Sequence, residues 1–156
     1  MKEQVCPNTP NPATAAAVLT LADHETPLWI DPEAAACGHW LTFHTGAPQI
    51  AAPSDADFVL TLALPDLAIL RNGTDEEPEA SATVILQVRA LGTGHRYRLA
   101  GPGLRTPEIL AVEGLPDDFA ALWARNRALF PRGVDLILCC GDRVAALPRS
   151  VSIQEV

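Results

Sequence analysis

Apolar and polar positions along the chain fall into short blocks punctuated by proline and glycine. The first block, ATAAAVLTLAD from Ala13 to Asp23, is almost wholly small and apolar. Asn11 and Pro12 stand before it as an N-cap and a first helical residue, so the pattern predicts a helix. Thr26-Pro27 ends it, and Pro27 to Ile30 reads as a short strand. Asp31-Pro32-Glu33 repeats the start signal and predicts a second helix from Ala34 to about Phe43. That helix is expected to bury Trp40, Leu41 and Cys37. Asp57 to Leu62 reads as a strand and Pro65 to Leu70 as a helical turn. Ala82 to Leu91, ATVILQVRAL, is nearly continuous in apolar and β-branched residues, the mark of a central strand covered on both faces. Gly92-Thr93-Gly94 predicts a hairpin turn, with HRYRLAG returning as the partner strand. Alternation there puts Arg96 and Arg98 on one face and His95, Tyr97 and Leu99 on the other. A short strand near Glu108 to Val112 follows. Pro116-Asp117-Asp118 then opens an amphipathic helix with acids at its start and Arg125 and Arg127 in its last turns, as the helix dipole favours. The final pattern is strand Val134 to Cys140, a Gly141-Asp142 turn of type II′, and strand Arg143 to Leu147 stopped by Pro148.

Strands and helices mixed in this way give an α/β or α+β domain. The expected architecture is a three-layer mixed sheet covered by helices. At 156 residues the chain fits one domain spanning 1–156, with residues 1–12 as an irregular lead-in. Its composition, 48% apolar, is enough for a real core. No apolar run approaches the ~18–20 residues of a membrane helix, and the first residues have no signal-peptide core. A soluble, cytoplasmic protein is expected.

Charge narrows the function further. The net charge is −8, which argues against nucleic acid as a partner, since phosphate binding needs a surplus of Lys and Arg. Ten of the eleven cations are arginine; Lys2 is the sole lysine. Schiff-base chemistry, including attachment of pyridoxal phosphate (PLP), needs a pocket lysine, and Lys2 lies too near the terminus to supply one. No GxxxxGK[ST] occurs. The four cysteines, Cys6, Cys37, Cys139 and Cys140, have no zinc-ligand spacing. In this context they are expected to stay reduced.

Few residues invite chemistry. Cys139 and Cys140 are neighbours on a strand, so they point to opposite faces and cannot share a metal or a substrate. His44, in FHTGAP at a helix end, either bonds the last helix carbonyls or faces a pocket. Arg96, Arg98, Arg105 and Arg149 are possible anion contacts. Arg149 stands out because Pro148 fixes the backbone before it. His44 and Arg149 are therefore the ligand-binding candidates, with no metal site and no assignable catalytic residue. Gly101-Pro102-Gly103 is a turn, not a phosphate loop. An enzyme assembled from scattered residues and a subunit that works by packing against others both remain open.

Four blocks carry a resemblance: VLTLADHETPLWI, LTFHTGAP, ATVILQV followed by RLAGPGL, and FPRGVDLILCCGDRVAALPRS. In this order the chain resembles the PhnH family, the H subunit of the bacterial carbon–phosphorus lyase system. The resemblance implies a fold like the large domain of PLP-dependent transferases, without PLP. It implies a homodimer, or a place in a core complex with the G, I and J subunits. That complex, a ribose 1-methylphosphonate 5-triphosphate synthase, converts ATP and an alkylphosphonate to a ribose 1-alkylphosphonate 5-triphosphate and releases adenine. Radical C–P cleavage belongs to the iron–sulfur J subunit, so no cluster is expected in this chain. Family members usually begin with a further helical segment; this chain is expected to lack it and either to expose an extra apolar patch or to rearrange its dimer. The alternatives are a stand-alone nucleotide- or phosphonate-binding enzyme, with His44 and the arginines lining its pocket, and a remnant that keeps the fold only.

Overall fold

The computed structural model describes residues 10–156. Lys2, Cys6 and most of the expected lead-in lie outside the described residues. Five strands form one sheet: β1 (Leu28–Ile30), β2 (Phe58–Thr61), β3 (Thr83–Gln87), β6 (Asp135–Cys140) and β7 (Arg143–Leu147), in that spatial order. The first four run parallel, and β7 returns antiparallel on β6. Gly141, first in the hairpin turn, takes φ 59°, and no non-glycine residue has positive φ, the pattern of a II′ turn.

Each face of this sheet has its own cover. On one side lie α1 (Pro12–Leu21) and α2 (Gly38–Thr45), whose Val18 and Leu41 meet Leu28, Leu60, Ile85 and Cys139. The Asn11 side chain accepts from the Thr14 backbone at the start of α1, the cap its sequence predicts. On the other side lie α3 (Phe119–Arg127) and a second, antiparallel sheet of order β5–β4–β8. Its strands are β4 (Ala90–Ala100), β5 (Glu108–Glu113) and β8 (Ser152–Glu155). Phe119, Trp123, Tyr97, Val112 and Ile153 pack there against Val84, Leu86, Leu136 and Leu138. The expected α/β class and layering hold, but one layer is half sheet rather than all helix.

Three local expectations need correction. β3 and the following strand do not form a hairpin. Both edges of β3 are taken by parallel neighbours, β2 and β6, so the chain leaves the sheet and pairs with β5 and β8 instead. Gly92 and Gly94 lie inside β4, at a register shift between Leu91 and His95. A Cβ on Gly94 would come 2.6 Å from the Val112 carbonyl oxygen, so the bulge needs glycine. The second helix begins as a 3₁₀ segment, Pro32–Cys37, before α2. Cys37 and Leu41, four apart, face the core; Trp40 is rotated about 100° from Leu41 and is exposed. β8, SIQE, is an element that sequence patterning missed.

Candidate functional site

Arg149 follows Pro148 at the end of β7, and its side chain turns inward, only 14% exposed. Its Nη2 donates to Asp135 Oδ2 at 2.5 Å and its Nε to Asp135 Oδ1 at 3.1 Å, the two-pronged pairing a guanidinium makes with a carboxylate. Nη2 also lies 2.5 Å from Ser81 Oγ, and Nη1 donates to the Pro78 carbonyl at 2.8 Å. The Arg149 backbone N–H donates to Asp135 Oδ1 at 2.7 Å. Asp135 opens β6, and Pro78 and Ser81 precede β3. The arginine therefore clasps three segments at the amino ends of the parallel strands.

His44 stands in the last turn of α2, exposed. Its ring packs 4.6 Å from that of Trp40 and edge-on to Phe43 at 5.2 Å. Gly46, at φ 73°, ends the helix beyond it. No hydrogen bond or ion pair links His44 to Arg149. The two candidates do not form one constellation.

At the opposite, carboxyl end of the strands, polar groups tie α1 to the sheet. The Asn11 N–H donates to Gln87 Oε1 at 2.8 Å. The buried Thr14 hydroxyl sits 2.9 Å from Asn11 Oδ1 and 3.0 Å from Gln87 Oε1. Beside them Cys139 is fully buried. Burial pushes its thiol up to about 11, with Thr14 opposing the rise and Cys140 adding to it. Such a thiol is a packing group, not a nucleophile at neutral pH. Cys140 points to the other face, as strand alternation requires, with Sγ 3.5 Å from the Arg89 carbonyl. Cys37 is also raised, by burial first, and its thiol donates to the Ala34 carbonyl.

Just past β3 the chain opens a cleft of about 490 Å³ lined by Arg89, His95, Glu113, Leu115 and Asp117. The β4 bulge and the Arg89 N–H to Glu113 carbonyl bond, 2.9 Å, shape its floor. Open α/β sheets place ligands outside the carboxyl ends of their strands, and this cleft is at that end. The Arg89 guanidinium has no hydrogen bond or ion pair among the described residues. Sequence reading passed over Arg89, Glu113 and Asp117. Their one signal was an arginine near the end of the strongest apolar run, which the hairpin reading kept inside its first strand, Ala82 to Leu91. A second hollow, about 270 Å³, gathers Pro102, Arg127, Phe130 and Ser150, from the GPG, FPRG and PRS segments. Arg96, Arg98 and Arg105 are exposed. Among the described residues no group of three or more His, Cys, Asp or Glu is placed to hold a metal ion. No helix among them is long and apolar enough to cross a membrane.

The fold and these side chains define an α/β domain with a charged surface cleft, whose densest polar cluster serves to join segments of the chain. A family model described as bacterial phosphonate metabolism protein (PhnH) matches residues 1–154. The chain belongs to that family. It is 40% identical over 147 residues, 91% of this chain and 74% of the relative, to the alpha-D-ribose 1-methylphosphonate 5-triphosphate synthase subunit PhnH of Rhizobium meliloti (strain 1021). Over 83 residues, 53% of this chain and 43% of the relative, it is 42% identical to HtxG of Stutzerimonas stutzeri, provisionally named a C-P lyase subunit protein.

Proposed function

We propose that this protein is the H-type subunit of a carbon–phosphorus lyase core complex. In that role it helps form a ribose 1-alkylphosphonate 5-triphosphate from ATP and an alkylphosphonate, with release of adenine. It acts with G, I and J subunits and forms a homodimer in their absence. The reading rests on one observation above the rest: family membership across residues 1–154, joined to a relative named as a synthase subunit. The fold is of the kind seen in the large domain of PLP-dependent transferases, and the single lysine, Lys2, supports a chain that carries no PLP. The protein works in the cytoplasm, carries no iron–sulfur cluster of its own and does not bind nucleic acid, in keeping with its net charge of −8.

Of the two sequence candidates for ligand contact, His44 is exposed and makes no hydrogen bond among the described residues. Arg149 would first have to release Asp135 and Ser81. A second reading, a stand-alone nucleotide- or phosphonate-binding enzyme, is favoured by the Arg89 cleft at the carboxyl end of β3. One assay separates the two. The purified chain is incubated with ATP and methylphosphonate, alone and with G, I and J subunits, and adenine is measured by chromatography. Adenine only in the complete mixture supports the subunit; adenine from the chain alone overturns it.

A further inference from the structure

The cleft beyond β3 holds charges of both signs and keeps them apart. Arg89 and Glu113 are neighbours in the backbone: the Arg89 N–H donates to the Glu113 carbonyl, and Ala90 stands opposite Glu113 in the register of β4 and β5. Asp117 joins them from the turn just before α3. Ion pairs among the described residues join Arg71 to Asp57, Arg132 to Asp75 and Arg149 to Asp135. Arg89, Glu113 and Asp117 take part in none of them. All three are exposed, and none has a side-chain hydrogen bond among the described residues. The three charges stand around about 490 Å³ of space, with Leu115 as its apolar side and Gly94 and Gly114 leaving part of the lining without side chains. His95 adds a ring N–H donor to the same space.

This mixture disfavours a plain anion. Two carboxylates stand against one guanidinium, in a chain of net charge −8. A phosphonate drawn to Arg89 therefore meets like charge from Glu113 and Asp117. The hollow around Arg127 makes the contrast: Pro102, Phe130 and Ser150 complete its lining, with no carboxylate among them. A ligand that satisfies the cleft carries an anionic head for the Arg89 fork and a cationic donor for the carboxylates, on one short carbon chain that lies against Leu115. We infer that the cleft binds a zwitterion, and that its ligand class is the aminoalkylphosphonates. The phosphonate head rests on the carbon–phosphorus lyase reading above; the ammonium rests on the cleft alone. Glu113 and Asp117 set specificity by repulsion as well as attraction. They hold the ammonium and turn away the same phosphonate without one.

The test is isothermal titration of the full chain, alone and reconstituted with G, I and J subunits. It compares 2-aminoethylphosphonate with ethylphosphonate, which lacks the amine, and with ethanolamine, which lacks the anion. 2-Aminoethylphosphonate is expected to bind about tenfold tighter than either, the worth of one charge-assisted hydrogen bond. Arg89→Ala is expected to abolish that binding. Glu113→Gln with Asp117→Asn is expected to erase the preference and to bind ethylphosphonate better than wild type does. The three side chains are exposed, so both variants keep the wild-type circular dichroism spectrum. Ethylphosphonate that binds as tightly as 2-aminoethylphosphonate overturns the inference, as does a preference that survives in the folded double variant. AMP that binds more tightly than 2-aminoethylphosphonate also overturns it and gives the cleft to a nucleotide. β-Alanine, a zwitterion with a carboxylate head, separates the sources: equal binding supports the zwitterion and overturns the phosphonate head. No binding in either preparation overturns the inference, and adenine release by the complete mixture then leaves the subunit reading standing. If no complex assembles, the subunit reading fails and titration of the chain alone still decides the cleft.

Discussion

Arg149, singled out in the sequence as an anion contact, is held by other parts of the chain. Pro148 does set the backbone before it, but what the side chain reaches is Asp135, Ser81 and Pro78, not solvent. Truncation to alanine strands the Asp135 carboxylate. That carboxylate keeps 32% of its side chain exposed, so water offsets part of the loss, and a cost of about 2 kcal/mol is expected rather than the larger value of a fully buried pair. Arg149→Lys should recover less than half of this, since an ammonium cannot span both carboxylate oxygens. Urea unfolding measures both. A pure ligand role would leave stability unchanged and lower activity instead.

Cys139 makes a prediction of the opposite kind, in pH. Its thiol in the folded protein is raised from 9.0 to about 11. The unfolded chain therefore loses this proton first as pH rises, and the native state binds more protons than the unfolded state between those values. The thiol's contribution is fully present below pH 9 and is lost as pH climbs to 11, by at most about 2–3 kcal/mol. The melting temperature should fall across that window, and more steeply for wild type than for Cys139→Ala. Tyr97 and Cys37, both raised chiefly by burial, tilt the remaining curve the same way. Activity at neutral pH should survive Cys139→Ala combined with Cys140→Ala in the reconstituted complex, because neither thiol is placed to react. Loss of adenine formation by a folded double variant would contradict this.

Among the elements, α3 and β6 are joined by one side chain. The Asn126 amide donates to the Val134 carbonyl and accepts from the Val134 N–H, each at 2.8 Å, and it is buried. The FPRG turn runs between them, and Gly133 (φ 123°) leaves room there that a Cβ would lose, 3.0 Å from the Asn126 carbonyl oxygen. Asn126→Ala abandons both Val134 groups without water, an expected loss of about 2–4 kcal/mol in urea unfolding. A loss under 1 kcal/mol would mean water enters.

Elements of this type were legible where local chemistry fixes them. The Asn11 and Asp31 caps and the Gly141 turn are decided by neighbours in sequence, and each stands where the pattern put it, whereas Asp118 precedes α3 without a side-chain cap bond and no acid lies in its first turn. Pairing partners were not legible in the same way. The apolar continuity of β3 correctly marked burial on both faces. Occupation of both its edges by parallel strands, which apolar continuity does not reveal, forbids the hairpin that Gly92-Thr93-Gly94 suggested. β8 escaped because its pattern is short and half polar, and β4 rather than a periodic core face gives it a place. The cleft was hidden for a related reason: Arg89, Glu113 and Asp117 come from three elements whose meeting depends on that pairing.

Across the whole molecule the two ends of the parallel sheet divide the work. The amino end is closed by the Arg149 clasp, while the carboxyl end carries, in an open cleft, the Arg89 guanidinium, which has no partner among the described residues. Arg89→Ala should leave the melting temperature unchanged, since the side chain is exposed and holds nothing. If the cleft meets an anionic reactant, adenine formation by the reconstituted complex should drop about tenfold, the worth of one charge-assisted hydrogen bond of ~1.4 kcal/mol. Unchanged activity would exclude the cleft from the reaction and leave it a surface feature.

The bond from the Ala13 N–H to the Gly141 carbonyl, 2.9 Å, has a consequence for the order of assembly. It fastens nearly the first described residue to nearly the last hairpin, while β1, β2 and β3 lie between them in the chain. During synthesis the apolar helix α1 leaves the ribosome before β6, which supplies part of its seat and emerges more than a hundred residues later. At roughly 5–20 residues per second the wait lasts roughly 6–23 seconds. Until then an apolar segment has no complete berth. The native protein can close this loop only after β6 and the turn at Gly141 have been made.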